Sequence, residues 1–305
     1  MKADDHSVDS QQLARIREQA RIALKSADAL GCFPTPVDDV IAAAKHTVAA
    51  PLEIDEGFLA KMQKKAGRAG KALRSALSKV WGVLDVAAKL VHLDKLVPAY
   101  KVPFLKLHEL GHGLLPWQRD IYAVTADCAQ TIDPEVSEIF ERESNAFACE
   151  VLFQLDSFTA EAADSPFGIK TPLALSKKYG ASVYASVRRY VGTNARACAV
   201  VVLDPPELAA GDGFRATVRR VITSETFTSQ FGEIQLPETV TPSDQIGRMV
   251  PVGGRKMSRP QTMAFTDRNG TRHECVAEAF SYKYYVFVLI YPQMTLTKKI
   301  VLVTR

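Results

Sequence analysis

The sequence is poor in the features that mark several common protein classes. It holds no Cys-x-x-C pair, and its five cysteines, Cys32, Cys128, Cys149, Cys198 and Cys275, are scattered and odd in number. That pattern argues against a cysteine zinc site and against a disulfide framework. The thiols read as buried and free in a reducing compartment. No run approaches the roughly 20 apolar residues of a membrane span. The stretch Met1 to Gln12 is polar, without the apolar segment of a secretory leader. A cytoplasmic protein that engages no membrane is therefore expected. A net charge of +4 is too small to argue for nucleic acid by itself. Histidine is scarce, and four of the six, His6, His46, His92 and His273, sit in no metal-like local context.

What is present is ample apolar material. A chain of 305 residues with 47% hydrophobic and 24% charged residues can build a large core and two domains. The two remaining histidines fall in His108-Glu109-Leu110-Gly111-His112. This reads H-E-x-x-H, the helix signature of zinc proteases. Residues four apart on an α-helix lie about 40° apart around its axis. Both imidazoles can therefore face one metal ion. Glu109 flanks that face, where it can take a proton from water and pass it to a leaving amine.

The flanks predict a helix over 103–115. Pro103 suits a first helical position. Phe104, Leu105, Leu107, Leu110, Leu114 and Leu115 are apolar almost all round, which marks a buried helix, and Pro116 ends it. Gly111 and Gly113 each cost about 1 kcal/mol of helix propensity. That cost is tolerated where another backbone must approach closely.

Other segments follow the helical or strand period. Gln11 to Leu30 and Val37 to Ala44 read as helices. Phe58 to Leu77 reads as a helix rich in lysine and arginine (Lys61 to Arg74), better explained as a solvated face than as an anion-binding surface. Val80 to Val86 and Lys89 to Leu93 have strand character and suggest a small antiparallel sheet before the metal helix. An edge strand there can pair with an extended peptide. Pro116 to Ile132 reads as a loop holding Trp117 and Tyr122. Asp133-Pro134 then opens a helix over 134–153, with Val136, Phe140, Phe147 and Val151 as its apolar stripe.

A three-ligand site with an open fourth position needs one more donor. Glu141, 29 positions after His112, is a candidate, and Asn145 one turn later could hydrogen-bond a ligand histidine. Glu138, Glu143 and Glu150 compete. Glu143 projects about 160° away from Asn145 and is expected to be exposed.

The C-terminal third changes character. Cys198 to Leu203, Phe214 to Thr223, Gln261 to Thr266, Arg272 to Ala279 and Tyr284 to Tyr291 read as strands, with Asp267-Arg268-Asn269-Gly270 as a hairpin turn and Gly253-Gly254 in a loop. The fold class expected is α+β. A mostly helical, zincin-like metallopeptidase domain with a small antiparallel sheet spans 1–194, and a β-rich domain spans 195–305.

Leu107 to Leu115, followed by Glu141-Arg142-Glu143-Ser144-Asn145-Ala146-Phe147-Ala148 and its continuation to Leu152, resembles the ImmA/IrrE metallopeptidases, which show H-E-L-G-H and then E-x-E-A-N-x-F-A-x-x-L-L. Pro36-Val37-Asp38 before the motif and the short helical unit Leu173 to Val191 after it are also similar in layout. That unit also has a helix-turn-helix look, better explained by core packing. Ser144 stands where the family has Ala, and Val151-Leu152-Phe153-Gln154 replaces its usual Leu-Leu-Met-Pro.

The resemblance covers roughly residues 13–191 and implies that Glu141 is the third metal ligand. It further implies a zinc-dependent endopeptidase that cuts a transcriptional repressor of the helix-turn-helix kind, with roles in transcription regulation and stress response. Manganese is a second metal for two histidines and one glutamate. Tyr122 is a candidate oxyanion donor. The competing expectation is a regulatory module in which the metal is structural and the C-terminal domain binds DNA or a partner.

Overall fold

The computed structural model describes residues 7–65, 81–119, 134–211 and 213–293. The chain forms two compact units. One comprises Met1–Phe158 with Lys177–Ser182, the other Thr159–Ser176 with Val183–Arg305. The division thus begins at 158/159, ahead of the break expected at 194/195. Its cause is visible in Val183–Gly192, a helix that buries Ser186, Val187, Tyr190 and Val191 and packs on strands Ala199–Leu203 and Gly213–Thr223.

The first unit opens with α1 (Ser10–Ser26), whose N-terminus is capped by the Asp9 side chain accepting from the Gln12 N–H. Ile16, Ala20, Ala23 and Leu24 recur at helical spacing and are buried. After α2 (Val37–Ala43), β1 (Thr47–Val48) and α3 (Glu56–Lys65) come β2 (Gly82–Asp85) and β3 (Leu90–Leu93). Residues 66–77 of the expected basic helix, and Val80, lie outside the described residues. The small sheet has the order β1-β3-β2, with β2 antiparallel and β1 parallel to β3. The expected antiparallel pair therefore carries an added parallel strand, and β2 is left at an edge.

Two long helices follow, α4 (Val102–Leu114) and α5 (Pro134–Leu152). They pack against each other, and α1 packs on α5. Together with α2 these helices close one apolar core around Ile16, Leu24, Val40, Leu107, Leu110, Phe147 and Val151. Gly111 explains the close approach of α4 and α5. A Cβ there would lie 3.3 Å from Ser144 Cα and 3.2 Å from Phe147 Cδ1. Gly111→Leu is therefore expected to destabilise the fold by about 1–3 kcal/mol through overpacking. A thermal melt with an unchanged midpoint would contradict this packing.

Gln154, just beyond the end of α5, is buried. It donates from Nε2 to the carbonyls of Ala29 and Cys32 and accepts the Gly31 N–H at Oε1. It staples the connector between α1 and α2 to the end of α5.

The second unit holds α6 (Ser157–Asp164, which begins in the first unit), α7 (Lys170–Lys178, whose last two residues belong to the first), α8 (Val183–Gly192) and an antiparallel sheet. Its strands are β4 (Ala199–Leu203), β5 (Glu207–Ala209), β6 (Gly213–Thr223), β7 (Thr239–Val240), β8 (Gln261–Thr266), β9 (Arg272–Tyr282) and β10 (Tyr285–Pro292), with α9 (Glu225–Phe231) after β6. The order is β5-β6-β4-β10-β9-β8, and β7 pairs with β6. β4 is buried at every residue and β10 at all but its first, which fits strands covered on both faces. The Asp267 turn closes the β8–β9 hairpin, its Oδ1 accepting the N–H groups of Asn269 and Thr271.

Candidate metal centre

α4 carries the motif on its buried surface: His108, Glu109 and His112 are all buried. α5 presents Glu141 to the same point. Among the described residues, His108, His112 and Glu141 are the one group of metal-ligating side chains gathered this closely, with their ligand atoms all within 4.8 Å.

The distances test whether such a set suits a metal. The two histidine Nε2 atoms are 3.3 Å apart. Glu141 Oε2 is 3.3 Å from His108 Nε2, and Glu141 Oε1 is 3.5 Å from His112 Nε2. Ligands held about 2.0–2.1 Å from a tetrahedral zinc ion are separated by about 3.3 Å along each edge. The two Nε2 atoms stand at that separation, and Glu141 approaches each of them with a different carboxylate oxygen at a similar distance, so the donor set fits a divalent metal ion.

The electrostatics follow from crowding. Burial opposes a charge on His108, but its bond to Glu141 and the charges of Glu141 and Glu109 outweigh this and raise its pKa. Burial lowers that of His112, with the neighbouring His108 acting in the same direction. Two cationic rings 3.3 Å apart would repel, which is why the two shifts run in opposite directions. Burial also disfavours the Glu141 anion, yet the two histidines hold its pKa down to about 2. Glu109 has no such partner in contact. Burial pushes its pKa up to about 7, partly offset by His108 and by the Leu84 N–H it accepts. That bond seats its carboxylate against the edge strand β2. A Cβ on Gly82 would fall 2.7 Å from Glu109 Oε1, so glycine there makes room for the acid.

Two supporting residues escaped the sequence reading. The expected loop from Pro116 instead begins with helical backbone over 116–119, with Gln118 N–H donating to the Leu115 carbonyl. Pro116 opens this turn because a first helical position needs no N–H. The turn brings Gln118 Oε1 within 2.9 Å of His112 Nδ1. The second is Glu143. Expected to be exposed, it is 1% exposed and accepts from Trp117 Nε1 at 2.7 Å, Gln118 Nε2 at 2.6 Å and Gln12 Nε2. Its face of α5, turned from that of Asn145, is covered by α1 and the 116–119 turn, which is why it is buried. A glutamine six residues after the second histidine is the only sequence signal for this arrangement.

The other candidates separate cleanly. Glu138 pairs with Arg142, and buried Glu150 pairs with Arg17. Asn145 is buried and acts on His108, helping to raise its pKa. His108 Nδ1 itself has no hydrogen bond of ordinary geometry. His46 bonds the Ala44 carbonyl and His273 pairs with Asp267. Tyr122, Asp133 and Cys128 lie outside the described residues. Cys149, Cys198 and Cys275 are buried thiols outside any disulfide, whereas the Cys32 thiol, also outside any disulfide, is exposed.

Glu141→Ala is expected to weaken metal binding far more than Glu143→Ala, because only Glu141 reaches the ligand triangle. Competition with a chromophoric chelator measures both, and equal losses would reassign the third ligand.

No family model and no curated protein matches the chain. Among solved structures it is similar to a Mycobacterium tuberculosis transcriptional regulator, at 11% identity and a TM-score of 0.51, over 92% of this chain and 76% of that one. This likeness shows a shared mixed α/β fold. No described helix is long and apolar enough to cross a membrane.

Proposed function

We propose that the chain is a metal-dependent endopeptidase of the ImmA/IrrE kind with a zincin-like catalytic unit. The observation that carries this reading is the Nε2–Nε2–carboxylate triangle with a buried carboxylic acid, Glu109, beside it. His108, His112 and Glu141 would hold the ion, and zinc suits two histidines and one glutamate, with manganese as the alternative. When bound, such an ion supplies Lewis acidity toward a carbonyl and toward water.

The protein's own part is proton transfer and alignment. The Glu109 carboxylate takes a proton from the attacking water and returns it to the leaving amine. Its bond to the Leu84 N–H fixes where it stands. Among the described residues the same strand lies at an edge of its sheet, where an extended peptide can pair with it. Tyr122 is kept as the candidate oxyanion donor.

The proposed substrate is an intracellular repressor of the helix-turn-helix kind, cut at one site. The test is incubation with folded repressors from the same cell, beside casein, with and without chelator. One discrete cut, blocked by chelator, supports the reading. Rapid digestion of casein with every repressor left intact would leave a general peptidase.

The second reading is a regulatory module with a structural metal, for which the name of the M. tuberculosis neighbour speaks. A structural site needs no acid beside the ligands and uses a fourth protein donor. Specific binding of the chain to DNA together with inert behaviour toward all peptides would favour it.

A further inference from the structure

We propose that Gln118, held in one amide orientation by Glu143, is a positioning residue that fixes His112 as the Nδ1–H tautomer and so keeps its Nε2 lone pair directed at the ligand triangle. The inference rests on the metal-centre reading for its purpose but not for its test. The orientation follows from counting donors. A carboxamide nitrogen has two N–H groups and no acceptor. Gln118 Nε2 faces two acceptors, the Phe140 carbonyl at 3.1 Å and Glu143 Oε2 at 2.6 Å. Flipping the amide would set its oxygen against both. Oε1 therefore faces His112 Nδ1 at 2.9 Å, and a carbonyl oxygen requires the proton on Nδ1.

Ser144 completes the arrangement. Its Oγ lies 3.1 Å from His112 Nδ1 and donates to Gln118 Oε1 at 3.3 Å, which further commits that oxygen to the acceptor role. Glu143 is itself held from outside. Oε2 also accepts from Trp117 Nε1 at 2.7 Å, and Oε1 accepts from Gln12 on α1. The Arg15 guanidinium lies 4.3 Å over the Trp117 ring. Gln118 is fully buried, so water does not compete for these groups. The chain of contacts runs from α1 through Glu143 and Gln118 to one ligand nitrogen.

The test reads the tautomer in the metal-free protein by ¹H–¹⁵N two-bond correlation of the histidine rings, and metal affinity separately by chelator competition. Wild type is expected to show His112 as Nδ1–H. Gln118→Met, similar in volume and without a carboxamide acceptor, is expected to shift the ring toward the Nε2–H form that a free histidine side chain favours. Affinity should fall about 10–100-fold, the usual effect of losing a partner that orients a ligand. Glu143→Gln keeps an oxygen to accept from Gln118 and Trp117 and should retain Nδ1–H, whereas Glu143→Leu should lose it.

An Nε2–H ring in the wild type would overturn the proposal, and this outcome needs no variant to fold. So would Gln118→Met with an Nδ1–H ring and affinity within about twofold of wild type. An Nδ1–H ring in a wild type that binds no zinc or manganese supports the positioning role and counts against the metal reading alone.

Discussion

Glu109→Gln is expected to lower peptide hydrolysis by about 10²–10⁴-fold, the usual contribution of a general base, while metal stoichiometry stays unchanged. The amide is nearly isosteric and makes no bond to a ligand histidine that the fold depends on. The acid is distinctive because burial raises its pKa to about 7. Hydrolysis needs the ionised form, so its rate should rise with pH through the pKa of Glu109. A nearby dication stabilises the anion and draws that limb below 7.

The metal-free protein carries the opposite signature in stability. Between an unfolded pKa near 4.5 and a folded pKa of about 7, the native state binds the proton and the unfolded state does not. Stability from this group is therefore present at low pH and lost as pH rises through that window. Metal-free Glu109→Gln should gain melting temperature relative to wild type at pH 8 and gain nothing at pH 4. Hydrolysis that survives within a few-fold in this variant would remove Glu109 from the mechanism.

Removing both His108 and His112 as alanines is expected to abolish the binding of about one divalent metal per chain, the number implied by one three-ligand site. Two of the three corners of the triangle disappear, and Glu141 alone is one carboxylate among many. Elemental analysis after dialysis reads this directly. Undiminished metal in the double variant would place the ion elsewhere. The variant should remain folded, since the α4–α5 contact rests on Leu107, Leu110, Gly111 and Phe147 rather than on the imidazoles.

The closeness of His108 and His112 was legible in the sequence because helical periodicity acts over short range. His108 and His112 are four apart on one helix, and the pattern around Glu141 repeats a recognisable motif. Gln118 was not legible for the opposite reason: its role depends on a helical turn that restarts at Pro116, in a stretch whose composition reads as loop. Glu143 shows how a local argument can mislead about burial. Its exposure depends on which element covers that face of α5, and α1 lies more than a hundred residues earlier in the chain.

The strands of the second unit announced themselves where they were long and apolar, as in Ala199–Leu203. β1, β5 and β7 have two or three residues each, too few for any periodicity to register. The compact units divide ahead of the change in composition because α8 packs on strands that follow it. The composition changes after that helix rather than before it.

The central claim is that His108, His112 and Glu141 hold one metal ion and leave a position open for chemistry. Anomalous diffraction at the zinc edge from zinc-loaded crystals tests it most directly. The account predicts one peak within about 2.0–2.2 Å of both Nε2 atoms and a Glu141 oxygen, with no fourth protein ligand. A peak bound by four protein side chains, or none at this triangle, would contradict it.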